Sequence, residues 1–563
     1  MATRPACLLP LAPFARLSSF ASTTCSKTWK QRMPPKLARH GLAVSLLALV
    51  VLGAALPSLA TTFTVTDTSD NAADPNSLRY AVNHAANGDT INFNLTYPAT
   101  ITLTNGYLEI ATNVTISGPG AANLFISGNG ASNVFQVDST VTGAGATISG
   151  VTIEDGFLGV PGENGGGIYN AGTLTVSNST VSGNATYGSD DNGGGIYNAG
   201  SLTVSGSTVS GNYSYNGDGG GIYNAGILTV SESTVSNNYS DSGSGGGIEN
   251  DGTLTVSSST FFGNSAFGGG GIYNLETLTV SNSTFSGNYG DFYAGGIVNA
   301  GTATVSFSTF SGNGGGGVFP GDGSAIQNFS NLTLKGTLLA LNSALDGNCY
   351  VDGGGTSDGY NLSDDDTCSF LTAPGDQNDV AAASLSPSGL QDNGGPTLTI
   401  ALLPTSPAVD AVPITPTNEC TDAFGNLVKT DQRGVTRPQG TGCDIGAYEL
   451  VNAQLTASPS SLAFRNLGIN GPKFTKLILL SNSGPAKVKI GTASITPTGG
   501  DPAAFSVHEY CEPRTLRAGK ECVIAITFEP HEAGLNTATL NIPSTAPGSP
   551  LEVALSGTGI SRK

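Results

Sequence analysis

At 563 residues the chain is too long for one compact domain, and its 79 glycines recur at fixed positions, which excludes a disordered Gly-rich polymer. Only 11% of residues are charged and the formal charge is −19, which argues against nucleic acid or an anionic lipid surface as partner. What remains is a long, apolar, acidic and periodic protein.

Residues 1–60 read as a secretory signal segment. They hold seven Lys or Arg and no Asp or Glu. Lys36 and Arg39 precede an apolar run from Leu42 to Leu56, and Ser58-Leu59-Ala60 offers small residues at a cleavage site. The run is short for a transmembrane span, so no transmembrane helix is expected in the mature chain. Met33 also opens a segment of signal-peptide length, so translation starts at Met1 or Met33, and Thr61 is the expected mature start. Six cysteines then remain, in three local couples: Cys349 with Cys368, Cys420 with Cys443, and Cys511 with Cys522. In an exported chain this spacing suggests disulfides.

Residues 61–112 read as an N-terminal cap with the first coils. A strand is expected at Phe63-Thr-Val-Thr66. A short helix follows over Asn76–Ala86, with Leu78, Ala81, Val82 and Ala85 on one face and Asn76 or Ser77 as N-cap. Such a helix would cover the first coil's open strand edge. Residues 113–342 read as a solenoid, irregular at first (Val114-Thr-Ile, Leu124-Phe-Ile-Ser, Val134-Phe-Gln-Val, Val151-Thr-Ile) and regular over 165–342.

The regular part repeats one phrase, G-G-G-I-Y-N-A-G-T-L-T-V-S-N-S-T-V-S-G-N in its first copy. Its anchors are Ile168, Ile196, Ile222, Ile248, Ile272, Ile297 and Ile326. The closing Asn stands sixteen residues after each: Asn184, Asn212, Asn238, Asn264, Asn288, Asn313 and Asn342. From that Asn to the next Ile the step varies: 12, 10, 10, 8, 9 and 13 residues. A fixed frame with one variable loop is the signature of stacked coils. Three apolar rows, six, eight and thirteen residues past each Ile, alternate with outward Ser and Thr. They predict three short strands per turn, and hence a parallel β-helix. The Asn rows read as amide ladders, and the glycines as corner residues.

Residues 343–450 read as final coils and a disulfide-braced C-terminal cap. Residues 455–560 hold seven strand-like runs at sandwich spacing and read as an immunoglobulin-like domain. The expected fold is all-β throughout.

The repeats resemble those of polymorphic outer membrane proteins, with Gly166-Gly-Gly-Ile168 and its copies for the G-G-A-I signature. Phe261 to Asn264, Phe285 to Asn288 and Phe310 to Asn313 stand for F-x-x-N. Asn76-Ser-Leu-Arg-Tyr-Ala-Val82 resembles the C-S-L-R-E-A-I cap motif of exported bacterial β-helix proteins, without its Cys, Glu and final Ile. Asp431-Gln-Arg-Gly with Cys443-Asp-Ile-Gly-Ala-Tyr-Glu449 resembles the choice-of-anchor Q module. The last hundred residues are similar to the ASPM/SPD-2/Hydin-like, or choice-of-anchor D, domain, through Ser481-Asn-Ser-Gly484, Thr527-Phe-Glu-Pro530 and Leu555-Ser-Gly-Thr-Gly559. These resemblances imply a right-handed parallel β-helix of the pectin-lyase-like kind and export and display at a bacterial surface, outside the outer membrane, and imply no reaction.

Chemistry is narrowed by what is scarce. Between Tyr80 and Val428 there is one Lys, Lys335, no Arg, and one His, His84. Lyase, Ser-His-Asp and His-metal sites therefore lack their parts, and no cofactor or metal is expected. A two-carboxylate glycoside hydrolase remains as the alternative, with Glu154 and Asp155, Asp190 and Asp191, or the Asp364-Asp365-Asp366 run. Acids of this kind are usually solvated turn formers, and the chain reads more readily as a binding protein than as an enzyme. One residue past the anchors stand Tyr169, Tyr197, Tyr223, Glu249, Tyr273, Val298 and Gln327, facing outward. The variable loops add Tyr187, Asp190 and Asp191; Tyr213, Tyr215 and Asp218; Tyr239 and Asp241; Phe267; Tyr289, Asp291, Phe292 and Tyr293; Phe319 and Asp322. Aromatics beside acids on one face are expected to engage a surface glycan or a protein partner in an adhesin-like role. A purely structural aromatic ladder is the competing expectation.

Overall fold

The computed structural model describes residues 60–561, except 316–322, 344–346, 381–382, 384, 452–453, 485–486, 510, 512–514, 518 and 547–548. The leader segment up to Leu59, and with it Cys7 and Cys25, lies outside the described residues, as do Phe319 and Asp322.

The chain winds into a parallel β-solenoid of about 11 turns, followed by antiparallel sheets. The regular coils anchored from Ile168 to Ile297 each cross four sheets. Taking the first regular coil, sheet 1 holds Ile168–Asn170, sheet 2 Thr173–Ser177, sheet 3 Thr180–Ser182 and sheet 4 Ala185–Ser189. They grow to 10, 12, 11 and 7 strands respectively. Register is strict: Ile168 pairs with Ile196 and on to Ile222, and Val176 pairs with Val204 and on to Val230. The anchor Ile and the Leu and Val rows are essentially fully buried, so every coil closes the same apolar core.

Sheet 4 is the departure from the three-strand expectation. The variable step pairs as a seven-stranded sheet instead of looping freely. Its inward row is Thr186, Ser214, Ser240, Ala266 and Gly290, small or hydroxylic residues with no apolar alternation to mark a strand. The hydroxyls stay satisfied inside: Thr186 and Ser214 both donate to the Asp191 carbonyl, and Ser240 to that of Gly217.

Polar ladders run the length of the stack. Asn170 Nδ2 donates to Asn198 Oδ1 at 2.7 Å, and the contact repeats through Asn224, Asn250, Asn274, Asn299 and Asn328. The closing Asn residues do the same from Asn184 to Asn342, and Asn348 extends the row. Their Oδ1 atoms also take the backbone N–H of the preceding coil's Asn, as Asn238 does for Asn212. A third ladder, of serines, links Ser179, Ser207, Ser233, Ser259, Ser283 and Ser308 through backbone N–H to Oγ contacts. These buried amides and hydroxyls turn an otherwise costly polar burial into inter-coil bonding. In the glycine run, Gly193 needs its positive φ of 71°, and a Cβ on Gly194 would stand 2.4 Å from the Tyr213 carbonyl oxygen.

At the N-terminal end a strand, Thr62–Val65, starts sheet 2, and a helix, Leu78–His84, is capped by the Ser77 side chain. Arg79 on this helix grips Asp70 and donates to the carbonyls of Gly106 and Tyr107.

Cys349–Val351, Gly354–Ser357 and Leu362–Ser363 continue sheets 1, 2 and 3. Residues 385–449 then return along the outside of sheet 3. Gln432 bonds with Ser259, Thr260 and Thr284, and the Ala447 N–H donates to Thr309. A buried ion cluster ties this segment together. Arg437 donates to the Glu449 carboxylate and to the Asp444 and Gly446 carbonyls, while Arg433 pairs with Asp431. Burial, with Glu449 close by, pushes the Asp444 carboxyl up to about 7.

Beyond Leu455, a four-stranded antiparallel sheet and a five-stranded, mainly antiparallel sheet share one core that includes Ile478, Ile526, Leu540 and Val553. All three expected disulfides are present: Cys349–Cys368, Cys420–Cys443 and Cys511–Cys522. Among the described residues no helix is long and apolar enough to cross a membrane.

Candidate functional site

All ten tyrosines between residues 165 and 342 lie on sheet 1, on sheet 4, or in the turn leaving sheet 4. These two sheets adjoin across the glycine corner, so the tyrosines share one side of the solenoid. On sheet 1, Tyr169, Tyr197 and Tyr223 stack 5.4 and 5.2 Å apart with planes within 5°. All three are half-buried, as is Tyr273 one coil beyond Glu249. On sheet 4, Tyr187 stacks on Tyr215 at 5.5 Å and Tyr213 on Tyr239 at 5.5 Å. Tyr187, Tyr215 and Tyr289 are exposed. Phe267 and Phe292 extend the aromatic patch, with rings 4.1 Å apart.

The stacking constrains the chemistry. Within a column the ring faces cover each other, so interior members present edges and hydroxyls outward. Only an end ring keeps a free face. Tyr169 is such an end, because its sheet 1 neighbour on the N-terminal side is Gln136. Two of the hydroxyls are tied to carboxylates. The Asp241 carboxylate, which accepts the Tyr239 hydroxyl at 2.7 Å, helps push Tyr239 up to about 12. Burial, then the Asp251 carboxylate that accepts its hydroxyl, raises Tyr223 further.

The acids behave less uniformly than their loop positions suggest. Asp190 is exposed at a turn with φ 63°, and Asp291 is exposed. Asp191 is fully buried and accepts the N–H groups of Gly162 and Glu163. Asp218 accepts the Ser244 N–H, in a row where Asn164 and Asn192 make the same contact to the next coil. Tyr293 packs edge-on to Phe329. Of the hydrolase candidates, Asp155 sits at φ 52° and takes the Ser127 hydroxyl. Burial raises the Glu154 carboxyl. Asp364 and Asp365 brace Leu341, Asn348 and Thr367. These contacts are those of turn formers.

Glu249, expected to face outward with the tyrosines, is buried instead, as are Val298 and Gln327 in the same row. It stands in the sheet 1 tyrosine row, in register between Tyr223 and Tyr273. It is 3% exposed, and its Oε2 has no partner. Burial, reinforced by Asp218 and Asp251, holds its carboxyl well above the usual range. The break in the tyrosine row was the only signal of it in the sequence. Among the described residues no group of His, Cys, Asp or Glu is arranged to hold a metal ion.

Fold and site together define a parallel β-solenoid with a tyrosine-rich side and appended antiparallel sheets. No protein-family model matches the chain, and no curated protein does. Among solved structures, a PapD-like domain of human CEP192 is 19% identical, covering 20% of this chain and 89% of its own, with a TM-score of 0.15. The secreted serine protease VesC of Vibrio cholerae is 18% identical, covering 17% of this chain and 21% of its own, with a TM-score of 0.14. Scores this low carry no argument about fold or function.

Proposed function

We propose that the chain is an exported, adhesin-like surface protein that binds carbohydrate through the side formed by sheets 1 and 4. The observation that carries this reading is the gathering of all ten repeat tyrosines on that side. Sheets 2 and 3 direct mostly Ser and Thr outward. Tyrosine rings with their hydroxyls suit a ligand that is apolar in patches and rich in hydroxyls. Three disulfides and the basic leader support a location outside the cytoplasm. The C-terminal sheets would then act as a spacer or attachment module. A glycan array probed with the full chain and with a Tyr197→Ala/Tyr223→Ala variant tests the reading. Binding by the wild type, weakened in the variant, is expected; absence of wild-type binding overturns it.

A second reading, a two-carboxylate glycoside hydrolase, draws on Glu249. A carboxyl whose proton is held more tightly by burial, beside two further acids, is the arrangement a general acid uses. Its burial stands against direct contact with a glycosidic oxygen in this conformation. Release of reducing ends from a polysaccharide, abolished by Glu249→Gln, would favour this reading over the first.

A further inference from the structure

The tyrosine column of sheet 1 ends in a cavity of about 470 Å3. Tyr169 closes it on one side; Gln136, Asn133, Tyr107, Glu163 and Asn164 are among its other walls. That volume lies in the range of roughly 300–1,000 Å3 usual for small-molecule sites.

Its walls are fixed from outside the cavity. Arg79 of the capping helix donates 2.8 Å to the Tyr107 carbonyl and also reaches that of Gly106. Asp191, one coil further on, takes the N–H groups of Gly162 and Glu163 at 2.6 and 3.2 Å. Asn164 Oδ1 is held by the Asn192 N–H at 2.7 Å. Two separate turns are therefore locked by buried charged groups, and such preorganisation lowers the ordering cost of binding. The interior is not self-satisfied. Asn133 is 1% exposed, lines the cavity, and its Nδ2 has no hydrogen-bond partner. A buried donor left in this state points to a ligand or ordered water that completes it.

The donor set selects the ligand. The lining carries amides, tyrosines and one carboxylate, Glu163, but no Lys, Arg or His. Arg79, the nearest cation by contact, is spent on Asp70 and on two carbonyls. An anionic sugar would thus meet a carboxylate and no counter-charge. We infer that this cavity is a subsite for an uncharged sugar residue. The free face of Tyr169 stacks on the apolar face of the sugar ring; Asn133, Gln136 and Asn164 bond its hydroxyls, and Glu163 accepts one of them. This inference rests on the carbohydrate reading of the tyrosine side. It places one end of the ligand at Tyr169, with the chain running along the column towards Tyr223.

Titration calorimetry of the full chain tests it, using neutral oligosaccharides (cello-, xylo- and malto-series) and oligogalacturonate as probes. Four proteins are compared: wild type, Tyr169→Ala, Tyr107→Ala and, as a distant control outside the tyrosine side, Leu477→Ala at an exposed position of the C-terminal sheets. Tyr107 is on an exposed turn, so its variant keeps the test valid if the Tyr169 variant fails to fold. The expected result is binding of a neutral series, weakened about tenfold or more by Tyr169→Ala and Tyr107→Ala and little changed by Leu477→Ala. Wild-type binding that is indifferent to both cavity variants overturns the subsite and leaves the wider carbohydrate surface standing. A preference for oligogalacturonate overturns the neutral specificity. Binding of a protein ligand with no response to any sugar overturns the subsite and the carbohydrate reading together.

Discussion

Two aromatic stacks run through this solenoid, one inside it and one outside. Phe261, Phe285 and Phe310 stack at 4.8 and 4.7 Å beneath sheet 3 and are fully buried. Tyr169, Tyr197 and Tyr223 stack at 5.4 and 5.2 Å on the outer side of sheet 1 and are half-buried. Both follow from the same cause: equivalent residues in parallel coils stand one strand spacing apart, about 4.8 Å. Stacking therefore says nothing by itself about function. The difference lies in what surrounds each column. The phenylalanines replace the valines of earlier coils in the core, such as Val181, Val209 and Val235. The tyrosines carry hydroxyls, meet solvent and end at a cavity.

This contrast yields ordered expectations. Phe285→Ala should have the largest effect, a loss of about 3–5 kcal/mol in denaturant unfolding, because it opens a cavity between two rings. A loss under about 1 kcal/mol would mean that the inner column is not core. Asn238→Ala comes next. It removes an amide that takes the Asn212 N–H and Nδ2 and gives to Val209 and Asn264. Stranding those buried groups should cost on the order of 3 kcal/mol, with faster hydrogen exchange confined to neighbouring coils.

Glu249→Gln should act through pH. The folded carboxyl titrates well above the unfolded one, so the native state holds the extra proton. Stability is then highest below the unfolded value and falls as pH rises through the raised folded value. The variant should melt above wild type at pH 8 and converge with it near pH 4. A constant difference across that range would mean that burial does not shift the Glu249 carboxyl, and a wild type that gains on the variant as pH rises would place it in an ionised pair. The smallest change in stability is expected for Tyr197→Ala, within about 1 kcal/mol, since the ring is half-solvated and its column offers stacking energy alone.

The anchors, the apolar rows and the disulfide couples were legible because each rests on a strict period or on local spacing. Ile168 to Ile326 fixed the coil, and the Leu and Val rows fixed two of the sheets. Sheet 4 was not legible, because Thr186, Ser214, Ser240 and Gly290 face inward without being apolar. Its core is hydrogen-bonded, and hydropathy cannot see that. The serine ladder was missed for the same reason: Ser179 and its copies looked like outward polar residues but point their hydroxyls into the wall. The outward tyrosines could be placed on one side from their register. The cavity at their end could not, because it is assembled from segments as far apart as Tyr107 and Asn164 and held by Arg79 and Asp191. Glu249 showed only as a missing tyrosine, since burial is a property of the neighbours.

The central claim is that the outer column serves recognition and the inner column serves stability. Measuring neutral-oligosaccharide affinity and unfolding free energy on the same two variants, Tyr197→Ala/Tyr223→Ala and Phe285→Ala, tests it most directly. The account predicts a double dissociation: the tyrosine variant loses affinity and keeps most of its stability, while the phenylalanine variant loses stability and, below its unfolding transition, keeps wild-type affinity. A tyrosine variant that unfolds as readily as the phenylalanine variant, or that binds sugar as the wild type does, would contradict it.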